Sequence, residues 1–266
     1  MRKFLLIITI LLTPTICLGG VDFDGVDDIV NCGDMTSIDS ALTIAAWINV
    51  DSLAADEYVV LAKYDNTSNA VKEWLFRILA TAASSCPQGA LNFITHDGTT
   101  QKSACTTTGL TVDTWNHVAV VFSGGAAIDG STIAFYLNGN LLTEDATLNA
   151  TSNPQNSATV ITMGKWSVTS SDLSDGTTGD VAIWDTQLTA NEIAQLALSR
   201  TKRIPLQIQK ANLKAYWPLD DEEDGSSADA DTFLDMTGNG NTCTGSDGAN
   251  NTGLTAKAEE VLSYPE

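Results

Sequence analysis

Short runs of alternating apolar and polar residues fill most of the chain, broken by glycine, asparagine and aspartate. "ALTIAAWINV" sets Leu42, Ile44, Ala46, Ile48 and Val50 on one face and Thr43, Ala45, Trp47 and Asn49 on the other, the two-residue period of a half-buried strand. "EWLFRILA", "ALNFITHDGTTQKSACT" and "WNHVAVVF" behave alike, and Asp97-Gly98 folds the second of these into a hairpin. In "STIAFYLNGNLLTE", Asn138-Gly139 supplies the residues most tolerant of the positive φ of a type I′ turn. "ATVITMGKW" and "GDVAIWD" add further strands. One segment, "QLTANEIAQLALS", reads as helix. Thr189 is its N-cap, Glu192 completes a capping box, and Leu188 and Ile193 are placed for a hydrophobic staple. Short strands separated by turn signals predict an all-β antiparallel sandwich or jelly roll with one short peripheral helix.

The first twenty residues follow a different rule. Arg2 and Lys3, an apolar run from Phe4 to Leu12 and small residues at Gly19 and Gly20 match an export signal, and Pro14 interrupts the run well short of a membrane span. Residues 21–266 are then expected to form one domain, secreted or held at the cell surface, and not an integral membrane protein. That remainder carries 11 basic against 33 acidic residues, a balance that repels polyanions and excludes nucleic acid as a partner. Of the acidic residues 24 are Asp and 9 are Glu, and the aspartates stand beside Gly, Asn, Ser and Thr, in turns that can offer oxygen ligands.

Four cysteines remain beyond the export signal, and four allow three pairings. Cys86 with Cys105, which bracket a predicted hairpin, and Cys32 with Cys243, which would tie the chain ends, are the favoured pairs. The absence of any C-x-x-C spacing argues against structural zinc.

Five segments in order, "FDGVDDIV", "LTIAAWINV", "TWNHVAVVF", "FYLNGNLL" and "TGDVAIWDTQLTANEIAQL", resemble the laminin G-like and pentraxin-like modules of the concanavalin A-like superfamily, over roughly residues 21 to 198. The resemblance implies two curved antiparallel sheets with the helix at an edge. "YWPLD" and "DMTGNGN" also resemble family segments, but relatives carry them before the opening strand and here they follow the helix. Residues 213–266 are therefore expected to close the same sandwich as a strand and an Asp/Gly-rich loop.

Asp22, Asp24, Asp27 and Asp28 crowd the first predicted turn. Calcium takes six to eight oxygens from carboxylates and turn carbonyls, which such a turn can supply, whereas the plainer account is a solvated turn. By the resemblance, Asp27 or Asp28 would join Asp180 in holding a structural calcium ion. Asp220, Glu222, Asp224, Gly225 and Asp231 approximate a calcium loop, but without flanking helices they read as a solvated acidic loop.

Hydrolysis of sugars, known in the superfamily, needs two facing carboxyl groups, and no strand here carries a paired run of glutamates. His117 reads as a packed structural residue and His96, beside Asp97-Gly98, is expected at the surface. Trp166, after a strand end, and Tyr64, Asp65 and Asn66, in a turn, are the candidate ligand-binding residues of the rim. Of Trp74 and Arg77, on opposite faces of one strand, only one can point outward. The expectation is a secreted, non-catalytic recognition module for a glycan or surface protein with a structural calcium. Its rivals are an adhesive or structural surface component without small ligand and a divergent polysaccharide-degrading enzyme.

Overall fold

The computed structural model describes residues 16–35, 41–54, 56–83, 85–124, 132–145, 153–167, 172–198, 204–220, 230–247 and 254–262. Most of the predicted export signal and most of the acidic loop, including Glu222, Asp224 and Gly225, lie outside these residues. The strands are β1 Ile16–Asp24, β2 Asp28–Asn31, β3 Leu42–Val50, β4 Tyr58–Tyr64, β5 Lys72–Ile78, β6 Ala90–His96, β7 Gln101–Gly109 and β8 Trp115–Phe122. They continue with β9 Ile133–Leu137, β10 Asn140–Leu141, β11 Thr162–Met163, β12 Asp175–Trp184, β13 Leu213–Trp217, β14 Thr232–Phe233, β15 Cys243–Asp247 and β16 Thr255–Leu262. One α-helix, α1, covers Ala190–Leu198.

The strands form two antiparallel sheets of eight. In one the order is β10-β9-β8-β3-β12-β1-β16, with β13 also on β12; in the other it is β14-β15-β2-β11-β4-β5-β6-β7. This is the predicted two-sheet jelly-roll sandwich. The long strand β12 organises the first sheet. β3 pairs along one side of it, while β1 at Val21–Asp24 and β13 share the other side end to end. Strands from beyond residue 213 enter both sheets, since β15 pairs with β2 and β16 with β1. β1 begins at Ile16, inside the segment assigned to the export signal, and Gly19 and Gly20 are buried in it.

Between the sheets the predicted apolar faces meet. Ile44 and Ile48 of β3, Phe76 of β5, Phe93 of β6 and Phe122 of β8 are fully buried, and the last two rings lie 6.0 Å apart. Burying each such side chain stabilises the fold by roughly 1.5–3 kcal/mol before chain entropy is counted. The face of β3 read as polar is buried as well. Its Ala45, with Ala119 and Ala182 on neighbouring strands, leaves shallow ground on which Leu188, Ile193 and Leu196 pack together with Trp184 and Tyr216. The cap is formed as the sequence predicts. Glu192 N donates to Thr189 Oγ1 at 3.3 Å, Thr189 N donates to Glu192 Oε2 at 2.7 Å, and Leu188 and Ile193 are both buried.

Both favoured disulfides are present, Cys32–Cys243 joining segments 211 residues apart and Cys86–Cys105 closing a separation of 19. The DMTGNGN segment is a hydrogen-bonded brace. Asp235 Oδ1 accepts from Tyr216 N and Thr237 N, Asn239 and Asn241 donate to the Lys214 carbonyl, and Trp217 Nε1 donates to Asn241 O at 2.6 Å. His117 is buried as expected. His96 is not at the surface but 2% exposed. Its Nδ1 accepts from Gly98 N at 2.9 Å and Gln155 N donates to its carbonyl, so the 153–157 segment is drawn over the hairpin.

Candidate functional site

The outer face of the second sheet carries an apolar floor of Val59, Ala62, Leu75 and Ile94, each buried, on which Tyr64 lies 2% exposed. The Tyr64 hydroxyl donates to Gln101 Oε1 at 2.6 Å. Gln101 belongs to β7, three strands away from β4 and so about 14 Å across the sheet at ~4.8 Å per strand. A tyrosine reaching toward that distance is laid along the sheet rather than raised from it.

The turn after β11 brings the second ring. Gly164 adopts φ +77° against Phe23, where a Cβ would lie 2.2 Å from Phe23 Cε1, so only glycine fits. Its amide donates to Val59 O and its carbonyl accepts from Ser174 N at 2.9 Å, which closes the base of the following loop. Trp166, two residues on, stacks on Tyr64 with 5.3 Å between ring centroids and 4° between planes. Of the six tryptophans, all among the described residues, Trp166 is the one not buried. It is the more exposed ring of the pair, half-buried where Tyr64 is buried.

Polar groups frame the pair. Arg77, one strand over, donates from Nε to Asn92 Oδ1 at 2.9 Å and is ion-paired through Nη1 with Glu57, while its guanidinium carbon lies 6.0 Å from the Trp166 ring centre. Asn92 is itself held, donating to Ser103 Oγ and to Ala104 O at 2.8 Å. Lys72 Nζ lies 5.7 Å from the Tyr64 ring centre, a weak cation–π contact. Burial pushes the Tyr64 hydroxyl up to about 12 against the opposing Arg77 charge, so it remains a hydrogen-bond donor at any physiological pH. Burial likewise raises the Glu57 carboxyl, with Arg77 pulling the other way.

The acidic turn is a second candidate. Oxygens of Asp24, Asp27 and Asp28 lie within 4.8 Å of one another, and Asp28 is 3% exposed with Oδ2 accepting from Asp24 N at 2.8 Å. Asp24 pairs in register with Asp175 of β12. The Asp175 carboxyl is raised, first by burial and then by the negative charges of Asp51, Asp22 and Asp24. Asp24, Asp27 and Asp28, with Asp175 beside them, are the hard carboxylate oxygens that could hold a calcium ion.

The structure sorts the sequence-predicted residues unevenly. Asp27 and Asp28 come together, and Asp24, from the same turn, completes their group. Asp180 does not join them. It sits five residues along β12 from Asp175, about 17 Å at ~3.4 Å per residue. There it has φ +50° in the irregularity between the β1 and β13 pairings and accepts a short hydrogen bond from the Tyr216 hydroxyl. Tyr64 and Trp166 come together as a stack. Asp65 turns away, its Oδ1 accepting from Thr67 N at 2.8 Å, and Asn66 is exposed in that turn. Sequence reading missed Gln101, Asn92 and Asp175. Of the Trp74 and Arg77 alternatives, Trp74 is wholly buried and Arg77 faces outward. In a separate cleft of about 430 Å³ beside Lys210, Lys214 and Asn239, Lys214 pairs with Asp185 at 2.5 Å and the Asn239 amide donates to backbone carbonyls.

Residues 24–194, nearly two thirds of the chain, match a laminin G-like family model described as the Concanavalin A-like lectin/glucanases superfamily. The chain belongs to this superfamily. Among solved structures, this laminin G-like chain is similar to a putative carbohydrate binding protein from Bacteroides ovatus, with 17% identity and a TM-score of 0.58 over 94% of this chain. That match spans 61% of the Bacteroides protein, and at this identity it shows the fold. A heptameric SAP-like pentraxin from Limulus polyphemus aligns with 18% identity and a TM-score of 0.49, over 68% of this chain and 82% of that one. Mouse laminin alpha1 domains LG4-5 align at 13% and 0.45, over 63% and 41%. Comparison with curated protein sequences found no significant match. No helix among the described residues is long and apolar enough to cross a membrane.

Proposed function

We propose that this laminin G-like chain is an exported, non-catalytic glycan-recognition module, with the Trp166 ring as its sugar platform and Asp24, Asp27 and Asp28 as ligands of a structural calcium ion. The observation that carries the reading is the Tyr64–Trp166 stack on the outer face of the second sheet, where Trp166 alone of the six tryptophans keeps part of its ring exposed. A sugar ring presents an apolar face of axial hydrogens and a polar edge of hydroxyls. Trp166 suits the first, and Arg77 and Gln101 suit the second.

Two disulfides accord with an oxidising compartment, and the similarity to a putative carbohydrate binding protein accords with the ligand class. Among the carboxyl groups around the platform Glu57 is engaged in an ion pair with Arg77, which supports binding over hydrolysis. Calcium would join the β1–β2 turn to the start of β12, giving the rim rigidity without contacting sugar.

Screening the purified protein on a glycan array, once with millimolar calcium and once with chelator, tests this. Binding to a defined set of glycans is expected with calcium, weakened by chelator. Release of reducing ends from bound polysaccharide, or silence across the array in both conditions, would contradict it.

A further inference from the structure

We infer that the ligand of the Trp166 platform is an uncharged polysaccharide chain, gripped through interior sugar units rather than through a charged or terminal group. This rests on the glycan reading of the same site and adds its chemical class.

The first argument is charge. The Arg77 guanidinium lies 6.0 Å from the indole centre, and Glu57 already pairs with it. Lys72 and Lys165 add two positive charges at the margin, while Asp56 and Asp172, which act electrostatically on Glu57, and Asp65 in the turn after Tyr64 add three negative ones. The platform is thus close to neutral, on a chain whose formal charge is −20. A uronate or sulfated chain would exchange its hydration for a compensated guanidinium and would run on into an acidic surface. A neutral sugar bears neither cost.

The second argument is the hydrogen-bonding inventory. Gln101 spends its Oε1 on Tyr64, which leaves its amide N–H groups available, and Arg77 spends Nε on Asn92 and Nη1 on Glu57, which leaves Nη2. The site therefore offers Arg77 Nη2 and the Gln101 amide as fixed donors beside the stacked rings. Sugar hydroxyl and ring oxygens are acceptors that these donors match, and both Arg77 and Gln101 are held in place before any ligand arrives.

The third argument is shape. The Tyr64–Trp166 stack belongs to the cluster on the outer face of the second sheet, with Trp166 partly exposed, so the ligand meets it on a sheet surface. A sheet surface accommodates an extended chain passing across it.

Affinity electrophoresis of the full chain in gels containing neutral polysaccharides (β-glucan, xylan, mannan) or acidic ones (polygalacturonate, alginate, heparin) tests the class. Retardation by at least one neutral polymer, reduced tenfold or more by Trp166→Ala, with weaker retardation by every acidic polymer, is the expected result. Short oligosaccharides of that polymer should bind more tightly as they lengthen to several units. Retardation by acidic polymers alone, lost in Trp166→Ala, would overturn the neutral class while leaving the platform as a glycan site. Retardation by neither class would overturn both. A Gln101→Ala variant, exposed and outside the apolar floor, keeps the test readable if Trp166→Ala fails to fold, and it should weaken neutral binding severalfold.

Discussion

The Trp166 indole rests on the Tyr64 ring with 5.3 Å between centroids and 4° between planes, although the two residues come from different strand ends and are joined through no regular pairing of their own. What aligns them is the Gly164 turn on one side and the Tyr64–Gln101 hydrogen bond on the other. Replacing Gly164 by alanine sets a Cβ against Phe23 at a positive φ, so the turn must move and Trp166 with it. Gly164→Ala should cost about 1–3 kcal/mol in stability and weaken glycan binding together with it. Urea unfolding and a binding titration on the same preparation check the coupling, and an unaltered affinity would separate Trp166 from the turn.

The acidic turn gives a thermal prediction. Calcium binding only the folded chain stabilises it by about 2.7 kcal/mol at a hundredfold excess over its dissociation constant, several degrees for a chain of this size. Because like charges and burial raise Asp175, the metal-free folded state pays for that carboxylate above its raised titration point and is relieved of the cost as pH falls. The calcium-dependent gain in melting temperature should therefore be largest near pH 7 and shrink toward pH 5. Asp28→Asn should abolish it, whereas Asp180→Asn should leave it intact, and the reverse pattern in calorimetry would refute the assignment.

His117 makes the opposite contribution. It is fully buried, packs edge-on to Trp47 at 5.4 Å, and burial lowers its ring to about 3. The unfolded chain takes up the proton near pH 6.5 and the folded chain does not. Stability is thus complete above pH 6.5 and lost as pH falls through the window from 6.5 to about 3, at up to ~1.4 kcal/mol per pH unit. His117→Gln should flatten that slope in denaturant titrations at pH 7, 6 and 5; an unchanged slope would show that the loss arises elsewhere.

The two disulfides should differ in worth. On chain entropy, a closure of 211 residues contributes about 5 kcal/mol and one of 19 about 3. Replacing Cys32 and Cys243 with alanine is expected to destabilise more than replacing Cys86 and Cys105, measured by urea midpoints, and equal midpoints would contradict the ordering.

Most of the architecture could be read from local pattern, because each strand carries its own period and each turn its own chemistry. The Thr189–Glu192 cap and the Leu188–Ile193 staple are complete within six residues, and the structure has both. Long-range consequences were less legible. Nothing in "ALTIAAWINV" shows that Ala45 lies beneath a helix, since that depends on small residues from β8 and β12 arriving beside it. Gly19-Gly20 has the look of a cleavage site, yet a Cβ at Gly20 would lie 2.5 Å from Thr178 O, a close strand approach that composition cannot reveal. The candidate site divides the same way. Trp166 and Tyr64 were identifiable as turn aromatics, whereas Gln101 belongs with them only through a hydrogen bond spanning three strands, and Asp175 joins the acidic turn only through the β1–β12 register. The family resemblance points to Asp180 for that turn, but the β1–β12 register sets Asp175 against Asp24 and leaves Asp180 five residues away.

Isothermal titration of the full chain and its Trp166→Ala variant with the same bound glycan tests the central claim most directly, with melting curves confirming that the variant is folded. A loss of at least tenfold in affinity, equivalent to about 1.4 kcal/mol, is the predicted result. Equal affinity in a folded variant would place the ligand elsewhere on the molecule.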